Sequence, residues 1–231
     1  MTSVRRSNSS GPGTRAASPA DDSTLSARDR RVAGLLFSTA GVSILMGCIT
    51  AEALYPGAFS THTNTLSHLG AGEPPDSVVV QPSAAIFDGT MLATGTLILV
   101  GAWLVLHALR RTAVTVSVGL LGLGILGVGF FPLTHPAPHT VFALLAFYAG
   151  GFAMILSARI APPPFRQLWT TLGGVALAAI TLGVFALSWA PVAAVGEGGI
   201  ERWNAYLVVL WLVAFGTHLM SGADRPRDDH R

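Results

Sequence analysis

Residues 112–158 read TAVTVSVGLLGLGILGVGFFPLTHPAPHTVFALLAFYAGGFAMILSA and contain no Asp, Glu, Lys or Arg. A bilayer core is ~30 Å thick and a helix rises 1.5 Å per residue, so about 20 residues cross it. The stretch is long enough to cross twice. It is broken once, at Phe130–Thr140 (FFPLTHPAPHT), by three prolines and two histidines. Proline cannot donate a backbone hydrogen bond, and a proline-rich break between two apolar halves reads as a turn. The region is therefore a hairpin of two membrane helices, and it sets the fold class: all-α, a polytopic membrane bundle.

Working outward, the same pattern recurs, giving six transmembrane helices at 32–53, 83–109, 112–131, 138–158, 167–190 and 203–221. The chain is 51% hydrophobic and 11% charged, against about 25% charged for soluble domains. That excludes a soluble α/β enzyme. A single cysteine, Cys48, excludes an internal disulfide and any multi-cysteine metal site. Residues 1–31, rich in Ser, Gly, Pro, Ala and Arg, are expected to form a disordered basic tail. Residues 32–221 form the membrane domain and 222–231 a second tail. Ala51-Glu52-Ala53 resembles a cleavage site and Leu45-Met46-Gly47-Cys48 a lipoprotein signal. The preceding segment is too long and the apolar run too span-like for a signal peptide, so the first helix is expected to stay uncleaved.

All 14 basic residues are arginine, and they orient the spans. The N-terminal tail, Arg110-Arg111, Arg159 with Arg166, and Arg225, Arg227 and Arg231 fall on one side; the other side has Arg202. By the positive-inside rule both termini are cytoplasmic in a bacterial plasma membrane. Because the arginines sit beside membrane segments, the net charge of +2 points to membrane lipids as partners and to no nucleic acid. In the third span Gly119, Gly122 and Gly129 fall on one helical face and Gly124 and Gly127 on the opposite one. Two bare faces allow two close neighbours, so this helix is expected to lie centrally.

With this topology the outer face collects Glu52, His62, His68, Glu73, Asp76, Asp88, His135, His139, Glu197, Glu201 and Arg202. Glu73, Asp76, Glu197 and His62 read as solvated loop groups, and His107 and His218 as interfacial residues at the inner ends. Glu52 and Asp88 lie inside spans, where a charge needs a partner. His135 and His139 have metal-pair spacing, but Pro136 and Pro138 break the helix between them. A metal would need a third ligand such as His68 or Asp88, and none is assigned. No motif names a cofactor. Helix N-termini converge on this face and favour anions, so a lipid-linked or anionic small substrate is the expected guest.

Tyr55-Pro56, Asn64-Thr65-Leu66-Ser67-His68-Leu69-Gly70, Ile86-Phe87-Asp88, Gly129-Phe130-Phe131-Pro132 with His139, and Gly199-Ile200-Glu201-Arg202-Trp203-Asn204-Ala205-Tyr206 follow in order. In this the chain resembles the bacterial and archaeal membrane family catalogued as domain of unknown function 998, over about residues 34–221. The resemblance implies the topology and the position of the site without supplying a reaction. The family pattern has asparagine where Asp88 stands, which weakens any role requiring a carboxylate there.

The expected chemistry is binding, hydrolysis or group transfer at the outer face. His139 serves as base or acid, Asp88 or Glu52 orients it, and Ser67 is a candidate nucleophile. Arg202, Glu201, His68, Glu52 and His135 are candidate substrate contacts, with Asp88 the first expected partner of Arg202 and Glu52 the second. A proton-coupled transporter using Asp88, Glu52 and His139, or a structural accessory subunit, are the alternatives. Ser67–Gly70 is expected to fold back onto the helix ends.

Overall fold

The computed structural model describes residues 19–72, 75–109 and 112–222. Among them are six helices long and apolar enough to cross a membrane: α1 (Pro19–Ala53), α2 (Ser83–Leu109), α3 (Thr112–Phe130), α4 (Pro136–Ser157), α5 (Phe165–Phe185) and α6 (Ala190–Gly222). A one-turn 3₁₀ helix, Leu66–Leu69, lies between α1 and α2. Each helix packs on its neighbours in the chain, and α6 closes back onto α1, so the six form a ring. Successive helices run in opposite directions. The α1–α2, α3–α4 and α5–α6 connections therefore meet at one end of the ring, and the start of α1 and the end of α6 lie at the other, the terminal end.

Ring closure depends on missing side chains. A Cβ at Gly34 would stand 2.5 Å from the Gly216 carbonyl oxygen, and one at Gly216 would meet the Gly34 carbonyl. Apolar helices in lipid gain no hydrophobic drive from pairing, so this close backbone approach, with its dispersion contacts, does the holding. Four of the five glycines of α3 act as their two-faced spacing predicts; nothing approaches Gly119 within 4 Å. Gly122 and Gly129 face Leu99 and Leu92 of α2, while Gly124 and Gly127 face Ala146 and Phe142 of α4. Yet α3 is one member of the ring and not its hub. The centre is a small cavity of about 80 Å³.

Toward the terminal end the interior is closed by aromatic rings. Trp211 stacks on Phe215 at 5.1 Å, Phe215 on Phe37 at 5.6 Å, and Trp169 meets Phe215 edge-on at 5.9 Å. All four side chains are buried. Trp211 also donates its indole N–H to Ser157 Oγ at 3.1 Å, which satisfies the one polar atom it carries into this core.

Three boundaries depart from the sequence reading. Helix α1 begins at Pro19, inside the stretch expected to be a disordered tail; Pro19 followed by Asp21 and Asp22 is the composition of a helix start. Helix α5 ends at Phe185, earlier than expected. Helix α6 begins at Ala190, ahead of a break at Gly196 (φ 76°). The Gly196-Glu197-Gly198-Gly199 run reads as a loop by composition, but only Gly196 leaves the helical conformation. Its positive φ is one that glycine adopts without strain. The expectations for Arg110-Arg111, Glu73, the side chain of His107 and both tails beyond 19–222 lie outside the described residues.

Candidate functional site

The segment after α1 turns back into the end of the ring, and its 3₁₀ turn is buried at Leu66, Ser67, His68 and Leu69. This is the fold-back expected for Ser67–Gly70. Arg202 of α6 holds its approach. The two protons on Nη1 are shared among the carbonyl oxygens of Thr61 (3.2 Å), Asn64 (2.8 Å) and Gly198 (3.0 Å). Nη2 pairs with Glu52 Oε2 at 3.3 Å, and the guanidinium lies 5.7 Å from the centre of the Phe59 ring. Gly198 N–H adds a bond to the His62 carbonyl at 3.0 Å. Two of the groups expected to contact substrate, Arg202 and Glu52, are thus accounted for differently, and His62, expected as a loop histidine, is one. Arg202 is 8% exposed and clasps the 61–64 backbone, Glu52 neutralises it, and His62 contributes its carbonyl from an exposed loop.

The first partner expected for Arg202, Asp88, is not its partner. Asp88 projects from α2 toward Gly70, where a Cβ would stand 2.6 Å from its Oδ1. That buried oxygen has no hydrogen-bond partner among the described residues. Nor does Asp88 or Glu52 orient His139. The His139 Nδ1 lies 2.7 Å from the Phe131 carbonyl oxygen. A carbonyl only accepts, so Nδ1 carries the proton, and in a neutral ring Nε2 is left as an acceptor.

That acceptor faces Ser67. His139 Nε2 is 2.9 Å from Ser67 Oγ, with both residues buried. The same hydroxyl is 3.3 Å from Glu201 Oε1, while Glu201 Oε2 accepts from the backbone N–H of Leu66. The hydroxyl has one proton and two acceptors, and the imidazole nitrogen is the nearer. Glu201 therefore fastens the 3₁₀ turn to α6, and Ser67 Oγ is held between α4 and α6. His68 points its Nδ1 back to the Thr65 N–H at 3.1 Å, which keeps that nitrogen unprotonated. His135 stands exposed at the N-cap position of α4, with no capping bond from its side chain. Its Nδ1 sits 3.0 Å from Thr134 Oγ1, so it does not join His139. No group of three or more His, Cys, Asp or Glu among the described residues is arranged to hold a metal. Asp76 and Glu197 are exposed, as expected of loop charges, although Glu197 stands in the first turn after the Gly196 break. His218 packs edge-on against Trp169 at the opposite end of the ring.

Ser67 and Glu201 stand between two spaces. Below them is the central cavity, whose lining extends to Leu212. Beside them is a groove of about 450 Å³ bounded by α4, α5 and α6. Asn204, one turn below Glu201, ties α6 to α5 by donating Nδ2 to the Ala176 carbonyl at 2.8 Å.

A family model described as a protein of unknown function, DUF998, matches residues 38–218. The chain belongs to this family. No curated protein and no solved structure matches it. The DUF998 match takes in α2 to α5 whole, parts of α1 and α6, and every residue of the site, from Glu52 through Ser67 and His139 to Arg202. The three segments that carry Ser67, His139 and Glu201–Arg202 converge at one end of this multi-pass membrane protein.

The sequence reading missed three contacts: the Phe131 carbonyl on His139, the Glu201 bonds to Leu66 and Ser67, and Asn204. The bonds to Phe131 and Leu66 involve backbone atoms, which leave no trace in residue identity. Asn204 was legible, since an amide inside an apolar span needs a partner.

Proposed function

We propose that Ser67 and His139 are the nucleophile and general base of a membrane hydrolase acting on a lipid-linked acyl substrate at the outer face. The observation that carries this reading is the 2.9 Å contact between His139 Nε2 and Ser67 Oγ, with Nδ1 pinned on a carbonyl. The pinning fixes the tautomer and the ring orientation that a general base needs, the task an aspartate performs in Ser-His-Asp triads. In the first step Ser67 Oγ bonds to the acyl carbon while its proton passes to Nε2. The acyl bond to the leaving group breaks, and the leaving atom takes that proton. Water then delivers hydroxide to the acyl carbon and its proton to Nε2, and Ser67 recovers the proton as the acid departs. The Phe131 carbonyl stabilises the imidazolium formed in each half-reaction.

The alternative of a proton-coupled transporter draws on one feature, the Ser67 hydroxyl bridging His139 and Glu201. The aromatic floor of Phe37, Trp169, Trp211 and Phe215 weighs against it, because these buried rings close the interior toward the terminal end. The test is labelling of purified, detergent-solubilised protein with a fluorophosphonate, followed by mass spectrometry of the adduct. The reading requires one adduct, on Ser67, and strongly slowed labelling in His139→Ala. An unlabelled wild type, or labelling indifferent to His139, would overturn it.

A further inference from the structure

The groove beside Ser67 has a composition that sorts its guest. Its long walls are apolar: Leu144 and Phe147 from α4, Ile180 and Val184 from α5, and Leu187 just beyond the end of α5. Its other end carries Thr65, Ser67, His68, His139, Glu197 and Glu201, and among the described residues no arginine or lysine lines it. The apolar walls belong to membrane-spanning helices, and Val184 is 45% exposed at the rim, so the groove opens sideways toward the hydrocarbon of the bilayer as well as toward the polar end. Pockets of 300–1,000 Å³ typically take one small ligand, and about 450 Å³ accommodates a single hydrocarbon chain with a small headgroup.

Charge narrows the class further. The converging helix ends suggest an anion, but the cation expected to hold it, Arg202, is absent from the lining and committed to three carbonyls and Glu52. In its place stand two carboxylate side chains. An anionic headgroup would meet like charge, which costs several kcal/mol of discrimination at a desolvated contact such as Glu201 beside buried Ser67, and less at the exposed Glu197. A headgroup rich in hydrogen-bond donors meets acceptors.

We infer that the groove admits, laterally from the membrane, a single-chain lipid whose headgroup is uncharged or amine-bearing and rich in donors. Its chain lies along α4 and α5, its headgroup meets Glu197 and Glu201, and the bond between them stops beside Ser67. The inference deepens the hydrolase reading and rests on it for the position of the scissile bond, but the binding it specifies does not require Ser67 to react.

The experiment therefore uses the full chain carrying Ser67→Ala, reconstituted in vesicles of phosphatidylcholine. Two photoreactive probes with the same diazirine-bearing acyl chain are compared, a monoacylglycerol and a lysophosphatidic acid. The monoacylglycerol should crosslink at Leu144, Val184 and Leu187 with at least about tenfold preference over the anionic probe, given the like-charge penalty. Val184→Trp, at a rim position with room for a large side chain, should reduce that labelling about tenfold, and Leu144→Trp should do the same from the opposite wall. Equal labelling by both probes, preference for the anion, or crosslinks spread over the outer helix faces and unaffected by either tryptophan would overturn the inference. Because Ser67 is absent throughout, failure here leaves the fluorophosphonate result standing, and failure there leaves this one.

Discussion

His139 Nε2 and Ser67 Oγ meet at 2.9 Å across 72 residues of chain. The contact exists because two different devices deliver the partners to one place. Ser67 is carried on a buried 3₁₀ turn fastened by Glu201, and His139 sits in the first turn of α4, locked by the carbonyl of the preceding segment. Removing a general base typically costs 10²–10⁴-fold in rate. His139→Ala should therefore reduce turnover of a 4-nitrophenyl acyl ester by about that factor, and Ser67→Ala by at least as much. Groups that act as one unit are not additive. The double variant should be no slower than Ser67→Ala alone, and a further multiplicative loss would separate the two roles.

Arg202 supplies the stiffness that this geometry needs. It makes charge-assisted bonds to three carbonyls and one carboxylate while nearly buried, so Arg202→Ala takes this donor from the Thr61 and Asn64 carbonyls and the cation from Glu52. A loss of about 3–5 kcal/mol is expected for breaking a buried pair on one side. The Glu52 side chain is 27% exposed and makes a 3.3 Å contact. Solvent screens it, so Glu52→Gln should cost about 1 kcal/mol or less. A double-mutant cycle in detergent checks both: Arg202 and Glu52 should couple, and Arg202 with Asp88→Asn should simply add. Coupling to Asp88 would contradict the clasp described here.

How far the sequence could go follows from what an apolar helix encodes. The charge-free 112–158 run and the arginine asymmetry made six spans legible and gathered Glu52, Asp88, His139 and Glu201 at one end. The rotation of each span was another matter. An amphipathic helix declares its buried face by its polar one, but α2 and α3 are apolar almost all round and declare nothing. Depth alone left Asp88 and Glu52 equally placed for Arg202, and the structure chose by rotation, turning Glu52 toward α6 and Asp88 toward Gly70. The glycine faces of α3 were the exception, because absence of a side chain on a face is itself a signal.

Asp88 gives a prediction with the opposite sign. Its buried Oδ1 has no partner among the described residues, and an uncompensated carboxylate in an apolar site is costly. Asparagine has the same shape and no charge. Asp88→Asn should therefore leave thermal stability unchanged or raise it by a few degrees, with ester turnover kept within about twofold, since Asp88 does not reach His139. A drop in melting temperature, or loss of turnover with the fold intact, would show that the carboxylate has a partner or a role in the working protein.

Orientation is the remaining expectation that experiment can settle directly. Arg159 and Arg166 lie at the terminal end of the ring, between α4 and α5, whereas Arg202 stands at the site end and is neutralised by Glu52. Free basic residues near span ends are retained on the cytoplasmic side, so the site should face outward. The lone cysteine makes this simple to test, because Cys48 is buried and Cys48→Ser gives a background without thiols. Ser60 and Ser221 are both exposed, at opposite ends of the ring. In intact cells a membrane-impermeant maleimide should label Ser60→Cys and spare Ser221→Cys until the membrane is opened. The reverse pattern would put the Ser67–His139 pair and the polar end of its groove on the inner leaflet, and the substrate would then have to be sought among lipids of that leaflet.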